Sequence, residues 1–154
     1  MALYDLVFEG GGAKGTAFVG AMEVLTAAGH VHRRLVGTSA GAITATLIGA
    51  GYSSAELLRA CTETLPGTNS PVFTTFMDTP TADNFTDEIR QASQTMQLLH
   101  DGHIPFAGEL LSGMLKVDLY REAFSFNECG GFYAGAAFLS WFRNKLQEIG
   151  RAHV

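Results

Sequence analysis

Residues 3–41 read LYDLVFEGGGAKGTAFVGAMEVLTAAGHVHRRLVGTSAG, and they contain two glycine clusters. Apolar runs at 3–8 and 34–37 predict two short strands, each followed at once by glycine or by a glycine-containing turn. Apolar residues at helical spacing over 16–28 predict a helix between the strands. The small and apolar segment 39–51 predicts a second helix, buried on all sides. This order of strands and helices predicts an α/β fold with a parallel sheet.

The two glycine clusters are candidate catalytic elements. They are Gly10-Gly11-Gly12-Ala13-Lys14-Gly15 and Gly37-Thr38-Ser39-Ala40-Gly41. A serine in a G-x-S-x-G turn between a strand and a helix sits in strained backbone geometry that exposes its hydroxyl. A glycine turn can aim several N–H groups at one point, as an oxyanion hole requires. Because a right-handed crossover brings both loops to the carboxyl ends of parallel strands, we expect the two clusters to meet.

The pair GGGAKG and GTSAG resembles the patatin-like phospholipase family. The resemblance implies a three-layer α/β/α fold with a parallel-dominated sheet flanked by helices, of which this chain holds the N-terminal portion. It also implies that Ser39 is the nucleophile and that the backbone of the loop at 10–15 binds the oxyanion. Lys14 would occupy the position of the basic residue that the family usually has in this loop. The segment 131–145, GFYAGAAFLSWFRNK, extends the resemblance over most of the chain.

The resemblance implies a lipid acyl hydrolase that cleaves fatty acyl esters of phospholipids or related lipids, without a cofactor or a metal. Its lipid substrate would be met at a membrane surface. The family's base is an aspartate in a later D-G-G or D-G-A motif, and this sequence contains neither. Asp101 stands in the one Asp-Gly pair, for which a surface turn is the ordinary interpretation. A catalytically incomplete lipid-binding or scaffold fragment, lacking the aspartate of the Ser–Asp dyad, is therefore the alternative function.

The missing motif suggests that the chain is truncated. We interpret residues 1–147 as a partial domain and 148–154, EIGRAHV, as a non-native tail. The back-translated tail resembles a sequencing adapter, and we expect the helix predicted at 134–147 not to continue into it.

Composition and charge exclude other classes of protein. The chain has 154 residues, of which 47% are hydrophobic and 16% charged, so it is long enough for one domain and too apolar for disorder. A net charge of -5 argues against binding to nucleic acid. Without a secretory signal or a membrane-spanning run, we expect a cytoplasmic protein, free or peripheral at a membrane. Cys61 and Cys129 fit no metal or redox spacing, and we interpret both as reduced thiols.

Three other motifs offer competing interpretations. Gly10-x-Gly12-x-x-Gly15 matches the dinucleotide-binding fingerprint, but residues 30–34 lack the acidic residue that such a site needs, although their two arginines would suit a 2′-phosphate. A P-loop is excluded because Lys14 is followed by glycine. His100 and His103 flank the Asp-Gly pair, where we predict a solvated loop and no metal site.

The rest of the chain is predicted to be mainly helical. A capping box at 53–56 begins a helix that runs to about residue 65, and 83–100 is a further helix. Residues 66–82, rich in Pro, Thr, Gly and Asn, predict a loop. Two groups of large apolar side chains stand out. We predict that Phe138, Trp141 and Phe142 belong to the core. Phe73, Phe76 and Met77 form either a packed loop or a lid that contacts a membrane.

Overall fold

The computed structural model describes residues 1–152 and is mostly helical, with one small parallel sheet. The strands are β1 (Leu3–Phe8) and β2 (Val31–Gly37), and the helices are α1 (Ala17–Ala27), α2 (Ala40–Gly49), α3 (Ser54–Thr62), α4 (Asp87–Ala92), α5 (Gln94–Asp101), α6 (Ala107–Met114), α7 (Asp118–Cys129) and α8 (Ala136–Ala152). Short 3₁₀ turns lie at Gly12–Thr16, Val72–Phe76 and Ala82–Asn84. The predicted α/β class with a parallel sheet is confirmed.

The chain forms two compact units. The first unit combines Met1–Phe73 with the chain from Ser140 onward, and the second unit is Thr74–Leu139. The first junction falls within the loop-like stretch 66–82, whereas the second falls inside α8, where the sequence carries no linker signal.

The core of the first unit lies between the sheet and helices α1 to α3. Phe8, Leu47 and Leu57 are almost completely buried in it. α2 packs on both strands, and of its ten residues two are exposed, Thr46 and Gly49. The helix is therefore close to the fully buried helix that its small, apolar sequence predicts.

A bulge in the sheet gathers two arginines around one carboxylate. β1 and β2 pair in parallel, with a register shift between Tyr4 and Asp5. An extra residue at such a bulge interrupts the alternation of side chains between the two faces. Arg33 and Arg34 therefore both reach Asp5, with nitrogen-to-oxygen distances of 3.0 and 2.5 Å. These contacts tie the two strands together at the exposed surface.

We expect the first unit to lose stability in acid as Asp5 takes up a proton. Hydrogen bonds from Arg33 and then Arg34 lower the pKa of Asp5 from 3.8 to about 2. Because the folded pKa lies below the unfolded one, this contribution is complete above about pH 5 and is lost as the pH falls toward about 2. Thermal unfolding measured across that range should show a smaller acid-induced drop for Asp5→Asn than for the parent chain. An equally steep drop in both would contradict this role of Asp5.

The second unit has a helical core of its own. Phe85 and Phe124 are buried there, with ring centroids 5.0 Å apart and edge-to-face geometry. The prediction of one helix over 83–100 is wrong, because the chain forms α4 and α5 with a break at Ser93. The Ser93 hydroxyl accepts a hydrogen bond from the Met96 N–H at 3.1 Å, which caps the start of α5.

In the second unit, carboxylates cap the N-termini of two helices from distant positions in the sequence. Glu128 accepts hydrogen bonds from the N–H groups at the start of α5, at 2.9 and 3.0 Å. Asp78 accepts from Gly135 and Ala137 at the start of α8, at 2.8 and 3.1 Å. Desolvation raises the pKa of each carboxyl, but the hydrogen bonds outweigh it, so both pKa values are lowered. Negative charge at a helix N-terminus also stabilises the helix.

The last helix extends beyond its predicted end. α8 continues to Ala152, so the expectation that it stops near Gln147 is wrong. The segment after Gln147 contains no proline, and a single glycine does not end a helix. Residues 153 and 154 lie outside the described residues, and the interpretation of 148–154 as a non-native tail remains a prediction.

The large apolar residues predicted at 73–77 and 138–142 are packed in some cases and exposed in others. Trp141 and Phe142 pack, partly buried, against the core of the first unit, as predicted. Phe138 meets Phe76 edge to face, with ring centroids 5.4 Å apart, while Met77 is exposed. Within residues 1–152, no helix combines the length and the apolar character needed to cross a membrane.

Candidate active site

Ser39 lies in the sharp turn between β2 and α2. Its backbone has φ 54° and ψ −125°, and its side chain is exposed. A positive φ is rare for a residue other than glycine, and such strain costs about 1–3 kcal/mol. The helix that begins directly after Ser39 directs its N-terminus, which favours negative charge, toward this turn.

Two glycines allow this turn to lie against the end of β1. A Cβ on Gly37 would lie 2.2 Å from the carbonyl oxygen of Gly41, and a Cβ on Gly41 would lie 2.3 Å from the carbonyl oxygen of Phe8. The Thr38 N–H donates a hydrogen bond to the same Phe8 oxygen at 3.1 Å. Sequence reasoning missed this role of Phe8. The available signal was the glycine at 41, since glycine marks places where another backbone approaches closely.

The glycine loop at 10–15 meets the serine turn, as the crossover predicts. A Cβ on Gly10 would lie 3.2 Å from the Cβ of Ser39 and 3.9 Å from its Oγ. At the other end of the loop Gly15 is buried, and a Cβ there would lie 3.3 Å from the Cβ of Ala40. The loop therefore contacts the turn at both of its ends.

The middle of the glycine loop is exposed and forms the start of a 3₁₀ turn. Gly12 has φ 55°, a conformation that glycine adopts without strain. The first N–H groups of a helical turn have no acceptor inside it, so those of Gly12 and Ala13 are not used by the turn itself. Lys14 is exposed in the same turn, and its side chain makes no ion pair among the described residues.

A comparison with known families identifies the chain. The sequence model of the family described as patatin-like phospholipase matches residues 6–149. The chain belongs to this family. Both glycine clusters lie inside the matched range, and so does most of α8.

The chain also resembles a bacterial protein. A stretch of 53 residues is 55% identical to the uncharacterized protein YqhO of Bacillus subtilis (strain 168). That stretch is 34% of this chain and spans 18% of the length of YqhO. No solved structure matches the chain.

Ser39 and Asp101, for which a surface turn is the ordinary interpretation, lie in different units. Ser39 is in the first unit, and its hydroxyl makes no hydrogen bond within residues 1–152. Asp101 is in the second unit, where it is the last residue of α5. Its backbone carbonyl oxygen lies 3.0 Å from Nδ1 of His103. Asp101 therefore ends a helix, with the turn that follows beginning at Gly102.

The competing motifs have structural roles in this patatin-like chain. Arg33 and Arg34, the candidates for binding a 2′-phosphate, are both paired with Asp5. His100 and His103 lie at the C-terminal end of α5. Across the described part of the chain, no group of three or more His, Cys, Asp and Glu side chains is gathered into a potential metal site.

Proposed function

We propose that this patatin-like phospholipase chain is a serine acyl-ester hydrolase that cleaves fatty acyl esters of phospholipids or related lipids. The observation that carries the proposal is the strained backbone of Ser39, with Gly10 packed against it. Backbone strain of this kind persists where the surrounding structure requires it, and it is concentrated at active sites. Membership of the family supports a lipid as the substrate.

The proposed reaction passes through an acyl-enzyme. The Ser39 oxygen attacks the acyl carbonyl while a base takes the hydroxyl proton. The tetrahedral intermediate collapses, the alcohol of the lipid leaves with that proton, and the acyl group stays on the Ser39 Oγ. Water then gives a proton to the same base and attacks the acyl ester, which releases the fatty acid and restores the hydroxyl. These steps need no cofactor.

We assign stabilisation of the oxyanion to the glycine loop. Gly12 and Ala13 begin the 3₁₀ turn, so their N–H groups are available to an oxygen that becomes negative. The close packing of Gly10 on Ser39 supports this assignment, because it keeps the loop beside the nucleophile. The exposed Lys14 adds positive charge to the loop, and the N-terminus of α2 acts in the same direction.

The second candidate function is a lipid-binding or scaffold chain that lacks turnover. Two observations favour it. The sequence contains no D-G-G or D-G-A motif, and the Ser39 hydroxyl has no hydrogen-bonded base within residues 1–152. Loss of a catalytic base lowers the rate by orders of magnitude but leaves binding and the oxyanion contacts in place.

Turnover of a short-chain chromogenic ester by the 154-residue chain distinguishes the two candidates. A hydrolase is expected to release many equivalents of chromophore per protein molecule, and to release fatty acid from phospholipid in mixed micelles. A chain without a working base is expected to release at most about one equivalent, because deacylation also needs the base. Absence of turnover on both substrates would contradict the hydrolase and favour the second candidate.

A further inference from the structure

The loop between α5 and α6 in the second unit presents apolar side chains to solvent. We call Leu98, Ile104, Phe106 and Leu110 the apolar tip. Their exposed fractions are 72%, 42%, 78% and 44%, respectively. Leu98 lies in the last turn of α5, and Leu110 lies one turn into α6, where its N–H donates to the Phe106 carbonyl at 2.9 Å. Leu98 and Leu110 therefore flank the loop that carries Ile104 and Phe106.

Phe106 combines a strained backbone with an exposed side chain. Its backbone has φ 57° and ψ 37°, the left-handed region that bulky residues rarely adopt. It stands at the N-cap of α6, where a polar side chain would bond the exposed N–H groups and a phenyl ring bonds none. The ring itself gains little from burial, since it is 78% exposed. Backbone strain and an exposed ring at one residue point to a contact outside the unit.

The loop is held in place by hydrogen bonds. The Ile104 N–H donates to the Leu99 carbonyl at 3.0 Å, and the Gly102 N–H donates to the Leu98 carbonyl at 3.0 Å. His103, with φ 54°, takes the left-handed position that ends α5 in this bonding pattern. Phe106 and Ile104 are therefore presented from a loop with fixed ends, and exposing them requires no rearrangement of the second unit.

We propose that the apolar tip inserts into the interface of a zwitterionic lipid bilayer. The choice of a lipid partner rests on the proposed function, because a lipid acyl hydrolase must reach substrate that is packed in an aggregate. The second unit carries nine carboxylates against three Lys and Arg side chains. This balance opposes attraction to an anionic surface, so transfer of the apolar side chains out of water provides the driving force.

Sedimentation with phosphatidylcholine vesicles tests the insertion. The 154-residue chain is expected to sediment with these vesicles, and high salt should leave its binding unchanged. Phe106→Gly should weaken partitioning by about tenfold or more, because the ring no longer leaves water. The same substitution should not lower the thermal unfolding midpoint, since glycine adopts the left-handed conformation without strain.

Leu98 and Leu119 provide a matched pair of controls, with exposed fractions of 72% and 71% in the same unit. Leu98→Ala should weaken binding, and Leu119→Ala should leave it at the parental level. Ser39→Ala should bind as the parent does, so a failure of the hydrolase proposal would not affect this measurement. Equal binding by Phe106→Gly and the parent would overturn the proposal. No sedimentation, or sedimentation with phosphatidylglycerol vesicles alone that salt reverses, would overturn it as well.

Discussion

Ser39→Ala is expected to abolish covalent labelling of the chain by a fluorophosphonate probe. Such probes react with an activated serine hydroxyl, which alanine lacks. We expect the labelling rate to fall by about 10³-fold or more. The fold should survive, because the Ser39 side chain is exposed and its hydroxyl makes no hydrogen bond among the described residues. Gel fluorescence of labelled protein, quantified against total protein, measures the effect.

Ser70→Ala provides the control for this experiment. Ser70 is another exposed serine of the first unit, and it lies in the loop between α3 and the second 3₁₀ turn, without left-handed backbone geometry. Its replacement should leave labelling at the parental rate and the unfolding midpoint unchanged. If Ser39→Ala were labelled as fast as the parent, the assignment of Ser39 as the nucleophile would be wrong. A loss of labelling in both variants would indicate a change in the fold of the first unit.

The first strand could be predicted from the sequence, because local pattern alone determines it. Residues 3–8 are a mostly apolar run, followed by Glu9 and the glycine cluster, and β1 spans Leu3–Phe8. The second strand was predicted at 34–37 but begins at Val31. After Val31 this strand continues with His32, Arg33 and Arg34, which give no strand pattern. These residues join the sheet through pairing with β1, and the Val31 N–H donates to the Ala2 carbonyl at 3.0 Å. Such tertiary pairing leaves no mark on the local pattern.

The second unit shows why longer helices were harder to predict. The apolar spacing over 83–100 supports one helix, although Ser93, whose hydroxyl caps α5, lies within it. Glu128 stabilises the new start of α5 from more than 30 positions away, by accepting hydrogen bonds from Gln94 and Thr95. Because another helix supplies this cap, a short stretch of sequence around α5 does not reveal it.

The sequence motifs predicted where the candidate site lies, but most of its atomic contacts are visible only in the folded structure. Spacing and glycine content were enough to predict that the two clusters meet, and Gly10 does lie against Ser39. Gly41 signals that another backbone approaches the turn, but the sequence does not show that the approaching atom is the carbonyl oxygen of Phe8. The sequence predicts no catalytic base, because it contains neither a D-G-G nor a D-G-A motif.

Gly41→Ala is expected to lower both the free energy of unfolding and the extent of fluorophosphonate labelling. The added Cβ would lie 2.3 Å from the carbonyl oxygen of Phe8 and 2.6 Å from that of Glu9. Both neighbours are backbone atoms, so either the end of β1 or the serine turn must move. We expect the free energy of unfolding to fall by about 3 kcal/mol or more, as for severe overpacking of a core. Fluorophosphonate labelling should be lost, because the displaced turn no longer holds Ser39 against Gly10.

Gly20→Ala separates this steric effect from the general cost of replacing glycine. Gly20 lies within α1, and a Cβ there would meet no atom within 4 Å. Since alanine is the better helix former, we expect stability to rise by about 0.5–1 kcal/mol. Chemical denaturation of both variants gives the two values directly. Parental stability and labelling in Gly41→Ala would mean that β1 and the turn do not touch as described. Strain at Ser39 would then have no support from its neighbours, and the main argument for Ser39 as a nucleophile would fail.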